Sequence, residues 1–431
     1  MASSDISSIF GARLLSSFPF TAGNININHG SFGAYPFAVR EALNNYQRRI
    51  DAQPDGFLRY ELPELIDKSR SAVAQLINAD VDNVVLVPNA TTGVNTVLRN
   101  LVYEEGDKIV YLGTTYSACE KAVIHIVDTY KPQDSVEAVK VDMRYPMSSD
   151  EILKRFEDAI SHKGVRIALF DTVSSLPALR LPFEKMVSLC KKYNVLSLVD
   201  GAHGVGCIGL DMRSLDADFF LTVRWLYTPR SCAILHVPAR NQHLIKTSLP
   251  TSHGYNPAER PGRPKVHNPL PASTKSTFVY LFDFVATMDY APYLCVPDAI
   301  KFREEQCGGE DKILTYTITL AKQGADRVAS ILGTDVLGDD DQRACPLTMV
   351  RLPLTFSDED IKEEKHKSVH AWIEKTMFYK YGAFVPLIYH GSQMWVRLSG
   401  QVYLALEDFD KVGHMLSDLC ARAAKRKTSH L

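Results

Sequence analysis

Short apolar runs alternate with amphipathic stretches through the middle of the chain. The runs are four to six residues long and rich in β-branched side chains, which predicts buried strands. The predicted strands cover residues 84–87, 109–112, 136–141, 166–170, 195–199, 219–222 and 232–237. Between them, residues 150–161 and 182–192 place apolar side chains three and four positions apart, which predicts half-buried helices. This alternation indicates an α/β fold, a mostly parallel sheet covered by helices on both faces.

The pattern changes near residue 250. Residues 250–272 contain six prolines and two glycines, which predicts a long ordered loop. After it the spacing predicts helices at 297–305, 310–332, 358–381 and 406–425, and strands at 347–354, 384–388 and 394–398. This mixture predicts a smaller α+β domain. We therefore divide the chain into an N-terminal segment that packs with the small domain (1–50), a large domain (51–295) and a small C-terminal domain (296–431).

Composition excludes several classes of protein. The 431 residues carry 48 Lys plus Arg and 50 Asp plus Glu, a net charge of −2, which argues against a nucleic-acid or membrane-surface partner. Neither a membrane-spanning run nor a secretory signal is present, so we expect a cytoplasmic protein. The eight scattered cysteines lack a Cys-x-x-Cys pair, which is typical of reduced structural thiols and predicts no zinc site. His366 and His370, four apart without a carboxylate motif, are interpreted as a solvated helix face.

Polar residues follow several predicted strands at the point where each one ends. Asn89, Ala90 and Thr91 precede a helical run, which is typical of a phosphate cup or of a plain helix cap. Asp200 follows a buried strand, where it either pairs with a protonated ring nitrogen or caps the next helix. Tyr116 either stacks on a bound ring or covers the core. The carboxyl ends of parallel strands share one edge, so together these residues predict a site for a flat, phosphorylated heteroaromatic cofactor.

Several stretches carry a family resemblance. The chain resembles the class V aminotransferase family of pyridoxal-phosphate enzymes, fold type I. Within that family it looks like the hercynylcysteine sulfoxide lyases of ergothioneine biosynthesis and the isopenicillin-N-epimerase-like proteins. The matching stretches are NHGSFG (28–33), FLRY (57–60), PNATTGVNTVLRN (88–100), VSS (173–175), VDGAHGVG (199–206), RNQHLIKTSLPTSHG (240–254) and WVRLSGQVY (395–403). The resemblance implies an aspartate-aminotransferase-like fold, pyridoxal 5'-phosphate as cofactor, an amino-acid substrate and a homodimer.

The resemblance also implies roles for individual residues. The implied cofactor-binding set is Asn89, Ala90, Thr91, Tyr116, Ser174, Asp200, His203, Thr222 and Thr287. In this set the first three residues cradle the phosphate, Asp200 keeps the pyridine nitrogen protonated, and Thr287 reaches the neighbouring subunit's phosphate. Ser174 and His203 contact the ring oxygen side, and Tyr116 and His203 are candidate catalytic residues. His29 and Arg397 are assigned to the substrate; Arg397 clamps its carboxylate or, in a plainer interpretation, is an exposed salt-bridging residue.

One stretch departs from the family pattern. Relatives carry an Asn-Cys-His-Lys-Trp-like run whose lysine holds the cofactor covalently, whereas this chain reads Leu-Thr-Val-Arg-Trp over residues 221–225 and is two residues shorter. Arg224 stands at the lysine position and, being always protonated, cannot serve as that amine. Three explanations are open: a gene-model, splice or allelic loss of a short piece; a protein without the covalent lysine; or replacement by another lysine, Lys246 or Lys275.

The function that the resemblance implies is elimination of a sulfur-containing β-substituent from an amino acid, as in a hercynylcysteine sulfoxide lyase. One alternative is a pyridoxal-phosphate C–C lyase or epimerase that acts on a modified amino acid in secondary metabolism. A second alternative is a non-catalytic homologue that lacks the covalent lysine.

Overall fold

A central sheet of parallel strands with one reversed strand organises the large domain. The computed structural model describes residues 9–130, 132, 135–223, 225–269 and 273–428. Within these residues, seven strands form the sheet: β1 (Val84–Val87), β2 (Asp107–Leu112), β3 (Val136–Val141), β4 (Val165–Asp171), β5 (Leu196–Gly201), β6 (Phe219–Val223) and β7 (Ala233–His236). Their order is β1-β7-β6-β5-β4-β2-β3. β7 is antiparallel to both of its neighbours and the other neighbouring pairs are parallel.

Both faces of this sheet are buried. In β1 all four residues are apolar and buried, and they alternate between two hydrophobic layers: Val84 and Leu86 face one, Val85 and Val87 the other. Such continuous apolar runs are what a sheet covered on both faces requires. The first layer includes the helices Leu62–Leu76, Ser149–Ile160 and Phe183–Lys192, and the second includes Ala90–Asn100, Ser117–Thr129 and Thr277–Asp283.

The remaining helical segments complete the description up to the small domain. They are Ala12–Leu15, His29–Phe32, Phe37–Ala52, Pro54–Gly56, the π-helical turn Phe57–Glu61, the 3₁₀ turn Val81–Asn83, Met212–Leu215, Ala239–Gln242 and Ala291–Leu294. Residues 250–269 contain no helix or strand. The proline-rich segment is therefore an irregular connection where the structure describes it, and residues 270–272 of the predicted loop lie outside the described part.

A second, smaller sheet lies near the C-terminus. β8 (Leu347–Arg351), β10 (Gln393–Ser399) and β9 (Leu387–His390) form an antiparallel sheet in that order. The helices of this part are Val296–Glu305, Glu310–Leu332, Asp358–Lys362, Lys365–Tyr381 and Leu406–Thr428. Phe10, Phe18 and Ile27 pack in the same hydrophobic cluster as this sheet, and Ile25 pairs with Ala383. The N-terminal segment thus contacts the small sheet, and the domain boundaries remain our prediction.

The predicted strand 347–354 ends earlier, at Arg351, and most other predicted elements differ from the observed ones by no more than three residues at an end. In two elements a single residue accounts for the difference. The predicted strand 384–388 begins only at Leu387, because Pro386 has no N–H to donate to a ladder. The predicted helix 358–381 is two helices, since Glu364 adopts a left-handed conformation with φ 56° between them.

The described residues can also be searched for membrane-spanning helices, metal-binding clusters and disulfides. None of the helices in this part of the chain is both long and apolar enough to cross a membrane. These residues contain no cluster of three or more His, Cys, Asp or Glu side chains suited to a metal ion. All eight cysteines are buried and are free thiols, which agrees with the interpretation from their spacing.

Candidate active site

The carboxyl ends of the parallel strands bring the candidate residues to one edge of the large sheet. β1 and β6 run in the same direction because both are antiparallel to β7, and Val87 and Val223 both pair with Ala233. Asp171 at the end of β4 lies beside Asp200 at the end of β5. The edge therefore gathers the strand ends that the sequence singles out, as expected for a ligand site in an open α/β sheet.

The helix Ala90–Asn100 begins directly after β1. Asn89 caps it: its side-chain Oδ1 accepts hydrogen bonds from the Thr92 N–H at 2.8 Å and from the Thr92 hydroxyl at 3.1 Å. Asn89 is exposed, whereas Ala90 and Thr91 are half-buried. Capping of the helix by Asn89 is therefore compatible with phosphate binding at the same place. The capping oxygen satisfies one N–H, and the positive end of the helix still faces outward.

Close packing seats this helix on the sheet. A Cβ placed on Gly93 would lie 2.1 Å from Cδ2 of Leu221 in β6. A larger residue here would displace the Leu221 side chain, so glycine lets the first turn of the helix pack on the strand without such a shift. The position of the helix N-terminus relative to the ends of β5 and β6 therefore depends on Gly93.

Asp200 is buried at this edge of the sheet. It is 3 % exposed, its Oδ1 accepts from the Ala202 N–H at 2.9 Å, and its Oδ2 lies 3.5 Å from the Cys119 thiol that donates to it. The residues that follow it form turns and no helix, so Asp200 is not a helix cap. A buried carboxylate held by donors is suited to pair with a cationic ring nitrogen.

His203 has a defined tautomer. The indole Nε1–H of Trp225 donates to His203 Nδ1 at 3.0 Å. Because an indole nitrogen can only donate, Nδ1 is the acceptor and the ring proton of the neutral histidine lies on Nε2. His203 therefore presents a donor from Nε2, which suits an oxygen substituent on a bound ring.

Trp225 is itself held in place by the core. It is 1 % exposed, and its carbonyl oxygen accepts from Nη1 of the buried Arg303 at 2.8 Å. Gly206, with φ 75°, passes so close that a Cβ there would lie 2.8 Å from the Trp225 carbonyl. These contacts fix the indole that orients His203.

Arg397 extends from β10 of the small sheet toward the large domain. Its Nη1 donates to the Ser175 carbonyl at 2.9 Å and to the Ser175 hydroxyl at 3.2 Å, and its Nη2 donates to Asn28 Oδ1 at 2.9 Å and to the Ser31 hydroxyl at 2.7 Å. The side chain is 2 % exposed, so the alternative of an exposed salt-bridging arginine is wrong. The guanidinium joins three segments of the chain through neutral oxygen atoms.

Two neighbouring serines differ in what they contact. The Ser174 hydroxyl is fully buried; it donates to the Pro177 carbonyl at 2.6 Å and accepts from the Leu179 N–H at 3.3 Å. Ser175 contacts Arg397 instead. The structure therefore places Ser174 in a turn, because its hydroxyl is engaged there, and brings Ser175 to the candidate site.

The remaining predicted residues occupy varied environments. Tyr116 is 49 % exposed at the start of the helix Ser117–Thr129, so it does not cover the core. Thr222 is buried, and its hydroxyl accepts from the Val205 N–H at 2.9 Å. Thr287 is exposed, as a residue that reaches a second subunit must be. His29 is fully buried, with Nδ1 3.0 Å from the Tyr403 hydroxyl and its ring 4.9 Å from Trp225, so its surroundings are those of a core residue.

The two substitute lysines lie away from this edge. Lys246 is exposed and its N–H donates to Asn100, at the far end of an 11-residue helix from Asn89, about 16 Å along the axis. Lys275 pairs with Asp67 and Asp283 at 2.9 Å each. Asp67 binds Arg70, which donates to the Val84 carbonyl at the opposite end of β1. Arg224, the residue at the family's lysine position, lies outside the described residues.

Sequence reasoning did not assign roles to Ser175, Trp225, Asn28 or Ser31. All four lie inside or beside motifs that carry the resemblance, so the signal was present. What the motif could not reveal was which side chain of each run faces the site.

Comparisons with known proteins agree with this arrangement. The Aminotransferase class-V profile matches residues 35–229. The chain is 34 % identical to the L-cysteine desulfhydrase-like protein lolT1 of Epichloe uncinata, over 97 % of each chain. It is 30 % identical to the hercynylcysteine sulfoxide lyase of Schizosaccharomyces pombe, over 96 % of this chain and 98 % of the relative. The solved structure of the cystine C–S lyase C-DES with its product cysteine persulfide superposes with a TM-score of 0.73 at 16 % identity, covering 92 % of this chain and 98 % of that one.

These matches confirm the recognition and the fold class predicted from the sequence. Three of the matching relatives are at least 30 % identical to this chain over nearly its whole length. The mostly parallel sheet with one antiparallel strand and the smaller α+β part agree with the fold class that the resemblance implies. The chain therefore belongs to the aminotransferase class-V family.

Proposed function

We propose that this protein is a pyridoxal-phosphate-dependent lyase that removes a sulfur-containing substituent from the β-carbon of an amino acid. One observation carries the proposal. The sheet edge brings together the buried carboxylate of Asp200 and the capped N-terminus of the helix Ala90–Asn100, and the buried Arg397 reaches the same part of the large domain. Relatives over the full length include a cysteine desulfhydrase-like protein and a hercynylcysteine sulfoxide lyase, which supports C–S cleavage.

The described residues fit the non-covalent part of a pyridoxal-phosphate site. The start of the helix Ala90–Asn100 offers N–H groups and a positive dipole end to the phosphate. Asp200 offers a negative charge to the pyridine nitrogen, and His203 offers its Nε2–H to the ring oxygen. Tyr116 is exposed at the start of the helix Ser117–Thr129, so its side chain is available to cover the ring.

Bound pyridoxal phosphate would withdraw electrons from the α-carbon of an amino acid, which permits loss of the α-proton and of a β-substituent. With a thioether substrate, one water molecule is consumed and a thiol, pyruvate and ammonia are released. With a sulfoxide substrate the sulfur product is a sulfenic acid.

Arg397 would hold the substrate carboxylate. Its Nη1 and Nη2 now donate to neutral oxygen atoms of Ser175, Asn28 and Ser31. A carboxylate that replaces the Asn28 and Ser31 oxygens gains charge-assisted hydrogen bonds from Nη2, which are stronger than the present bonds to neutral oxygens. Those two side chains would then keep the arginine oriented when no substrate is bound.

The covalent lysine is the missing part. No lysine occurs between Lys192 and Lys246 in the sequence, and both Lys246 and Lys275 lie away from the sheet edge. The replacement hypothesis is therefore disfavoured, and two remain: a short piece is missing from this form of the protein, or the form is a non-catalytic homologue. The residues that we propose to hold the cofactor non-covalently are present in this chain, which favours the first.

A repaired chain tests the proposal. Residues 223–224 are replaced by Asn-Cys-His-Lys, and pyruvate release is measured with L-cysteine, S-alkyl cysteines and their sulfoxides. We expect the repaired chain to release pyruvate and the chain as written to release none. The matched control carries Asn-Cys-His-Ala at the same place and must be inactive. A folded, repaired chain that binds pyridoxal phosphate and releases no pyruvate from any of these substrates would refute C–S elimination.

We also propose an oligomeric state and a cellular location for the protein. The exposed Thr287 is available to complete the phosphate site of a second copy, so we propose a homodimer. A cytoplasmic location is proposed because all eight cysteines are free and buried, as in proteins of a reducing compartment. Sedimentation of the purified protein tests the dimer directly.

A further inference from the structure

A second buried carboxyl lies beside Asp200. Asp171, the last residue of β4, is 5 % exposed and is the register partner of Asp200 on β5. Register partners on parallel strands point to the same face, with Cα atoms about 4.8 Å apart. The proposed function uses Asp200 and leaves Asp171 without a role.

The two carboxyls differ in their hydrogen-bond donors. Asp200 accepts from the Ala202 N–H with one oxygen and from the Cys119 thiol with the other. Asp171 Oδ2 is buried and has no hydrogen-bond partner among the described residues, and the one donor that lowers the pKa of Asp171 is its own backbone N–H. Two adjacent buried carboxyls do not both ionise, and the negative charge resides where donors stabilise it. The donors therefore assign the charge to Asp200 and the proton to Asp171.

The surrounding groups agree with this assignment. Burial, and after it the charge of Asp200, raises the pKa of Asp171 well above its usual value. Burial and the two carboxyls raise the pKa of the Cys119 thiol, which keeps it protonated as the donor to Asp200. Burial also raises the pKa of the nearby Tyr145, so this phenol is neutral as well. Among the described residues that face Asp171, Asp200 is thus the one that carries charge.

We propose that Asp171 is a neutral positioning residue, a protonated carboxyl that confines the single negative charge of the pair to Asp200. This rests on the proposed function in one respect, namely that Asp200 faces a pyridine nitrogen. Asp171 acts through Asp200 and does not touch the cofactor. The pair therefore holds one proton and one charge at neutral pH.

The first arm of the test uses the protein without any cofactor. Urea unfolding of the wild type and of Asp171→Asn is compared from pH 4 to pH 8. Because the folded pKa is raised, the folded protein binds one proton more than the unfolded chain above about pH 4, so its stability falls as the pH rises. The Asp171→Asn variant lacks this pH-dependent loss of stability. We expect the ratio of the two unfolding constants to change by up to about tenfold per pH unit from about pH 4 upward, until the pH reaches the folded pKa of Asp171. A ratio independent of pH would overturn the proposal.

The second arm uses 4'-deoxypyridoxine 5'-phosphate, an analogue without the aldehyde, so that no lysine is needed. Its ring nitrogen is titrated by ultraviolet absorbance in the wild type, Asp171→Asn and Asp200→Asn. We expect Asp171→Asn to keep the ring protonated as the wild type does, and Asp200→Asn to lower the protonation constant at least about tenfold. Equal losses in both variants would overturn the proposal. If the wild type does not bind the analogue, the proposed function fails, and the unfolding arm still decides the state of Asp171.

Discussion

Single side chains at the sheet edge are held by neighbours that determine their charge, tautomer or direction. Trp225 assigns the proton of His203, Ala202 and Cys119 stabilise the charge of Asp200, and Asn28 and Ser31 orient Arg397. Such supporting contacts are typical of sites that are organised before the ligand arrives. Two further predictions concern single residues, besides the one for Asp171.

The first prediction concerns Arg397. Arg397→Ala removes four hydrogen bonds from buried or half-buried oxygen atoms and leaves a cavity, so we expect the free energy of unfolding to fall by about 2–4 kcal/mol. Arg351 on the neighbouring strand is the matched control. It is paired with the exposed Asp335, and Arg351→Ala should cost no more than about 0.5 kcal/mol. Equal losses in the two variants, measured by urea unfolding, would show that Arg397 has no special structural position.

The second prediction concerns histidine tautomers. His203 carries its proton on Nε2, whereas His390 accepts from the Tyr145 N–H at Nε2 over 2.8 Å and therefore carries its proton on Nδ1. Nitrogen-15 NMR should resolve these two opposite tautomers in one sample. In Trp225→Phe we expect only the His203 signal to shift toward a mixture, because the indole donor is lost. A His203 that is Nδ1-protonated in the wild type would contradict the hydrogen-bond assignment.

The sequence located the runs that hold these residues but not the side chains that face the site. The run at 173–175 predicted a hydroxyl near the cofactor and assigned it to Ser174, yet the turn that follows β4 uses that hydroxyl internally. Asp171 had a readable signal, since it ends a predicted strand as Asp200 does. That the two strands are adjacent is a property of the sheet order, which the sequence pattern does not contain.

At the scale of elements, we propose two roles for Asn89 at the start of the helix Ala90–Asn100. Asn89 caps the helix and lies where the phosphate would bind. We predict that Asn89→Ala lowers the free energy of unfolding by about 1 kcal/mol through loss of the cap. Asn89→Asp keeps the cap, so its stability should match the wild type, but its negative charge should weaken binding of 4'-deoxypyridoxine 5'-phosphate. If the aspartate variant binds the analogue as tightly as the wild type, the phosphate lies elsewhere.

The elements themselves were largely predictable. Strands β1 and β3 and the helix Glu310–Leu332 begin and end at the predicted residues, because strongly apolar or strongly periodic segments leave little choice. Two of the differences lie where a single residue overrides the pattern. Pro386 delays the start of β9, and the left-handed Glu364 divides a long charged helix.

At the scale of the whole molecule, Arg397 connects three parts of the chain that are far apart in sequence. Its guanidinium on the small sheet binds the N-terminal segment through Asn28 and Ser31 and the large domain through Ser175. The substrate end of the proposed site is thus formed only when all three come together. We predicted from the sequence that the N-terminal segment packs with the small domain, but no pattern indicated that Arg397 joins both to the large domain.

The central claim is that this chain keeps the non-covalent pyridoxal-phosphate site and lacks the covalent lysine between β6 and Trp225. The most direct measurement is borohydride reduction after addition of pyridoxal phosphate, followed by peptide mass mapping, of the chain as written and of the chain repaired with Asn-Cys-His-Lys at residues 223–224. We predict that a pyridoxyl group is found on the introduced lysine of the repaired chain and on no defined lysine of the chain as written. A pyridoxyl group on Lys246, Lys275 or another single native lysine, or an unlabelled repaired chain, would contradict the account.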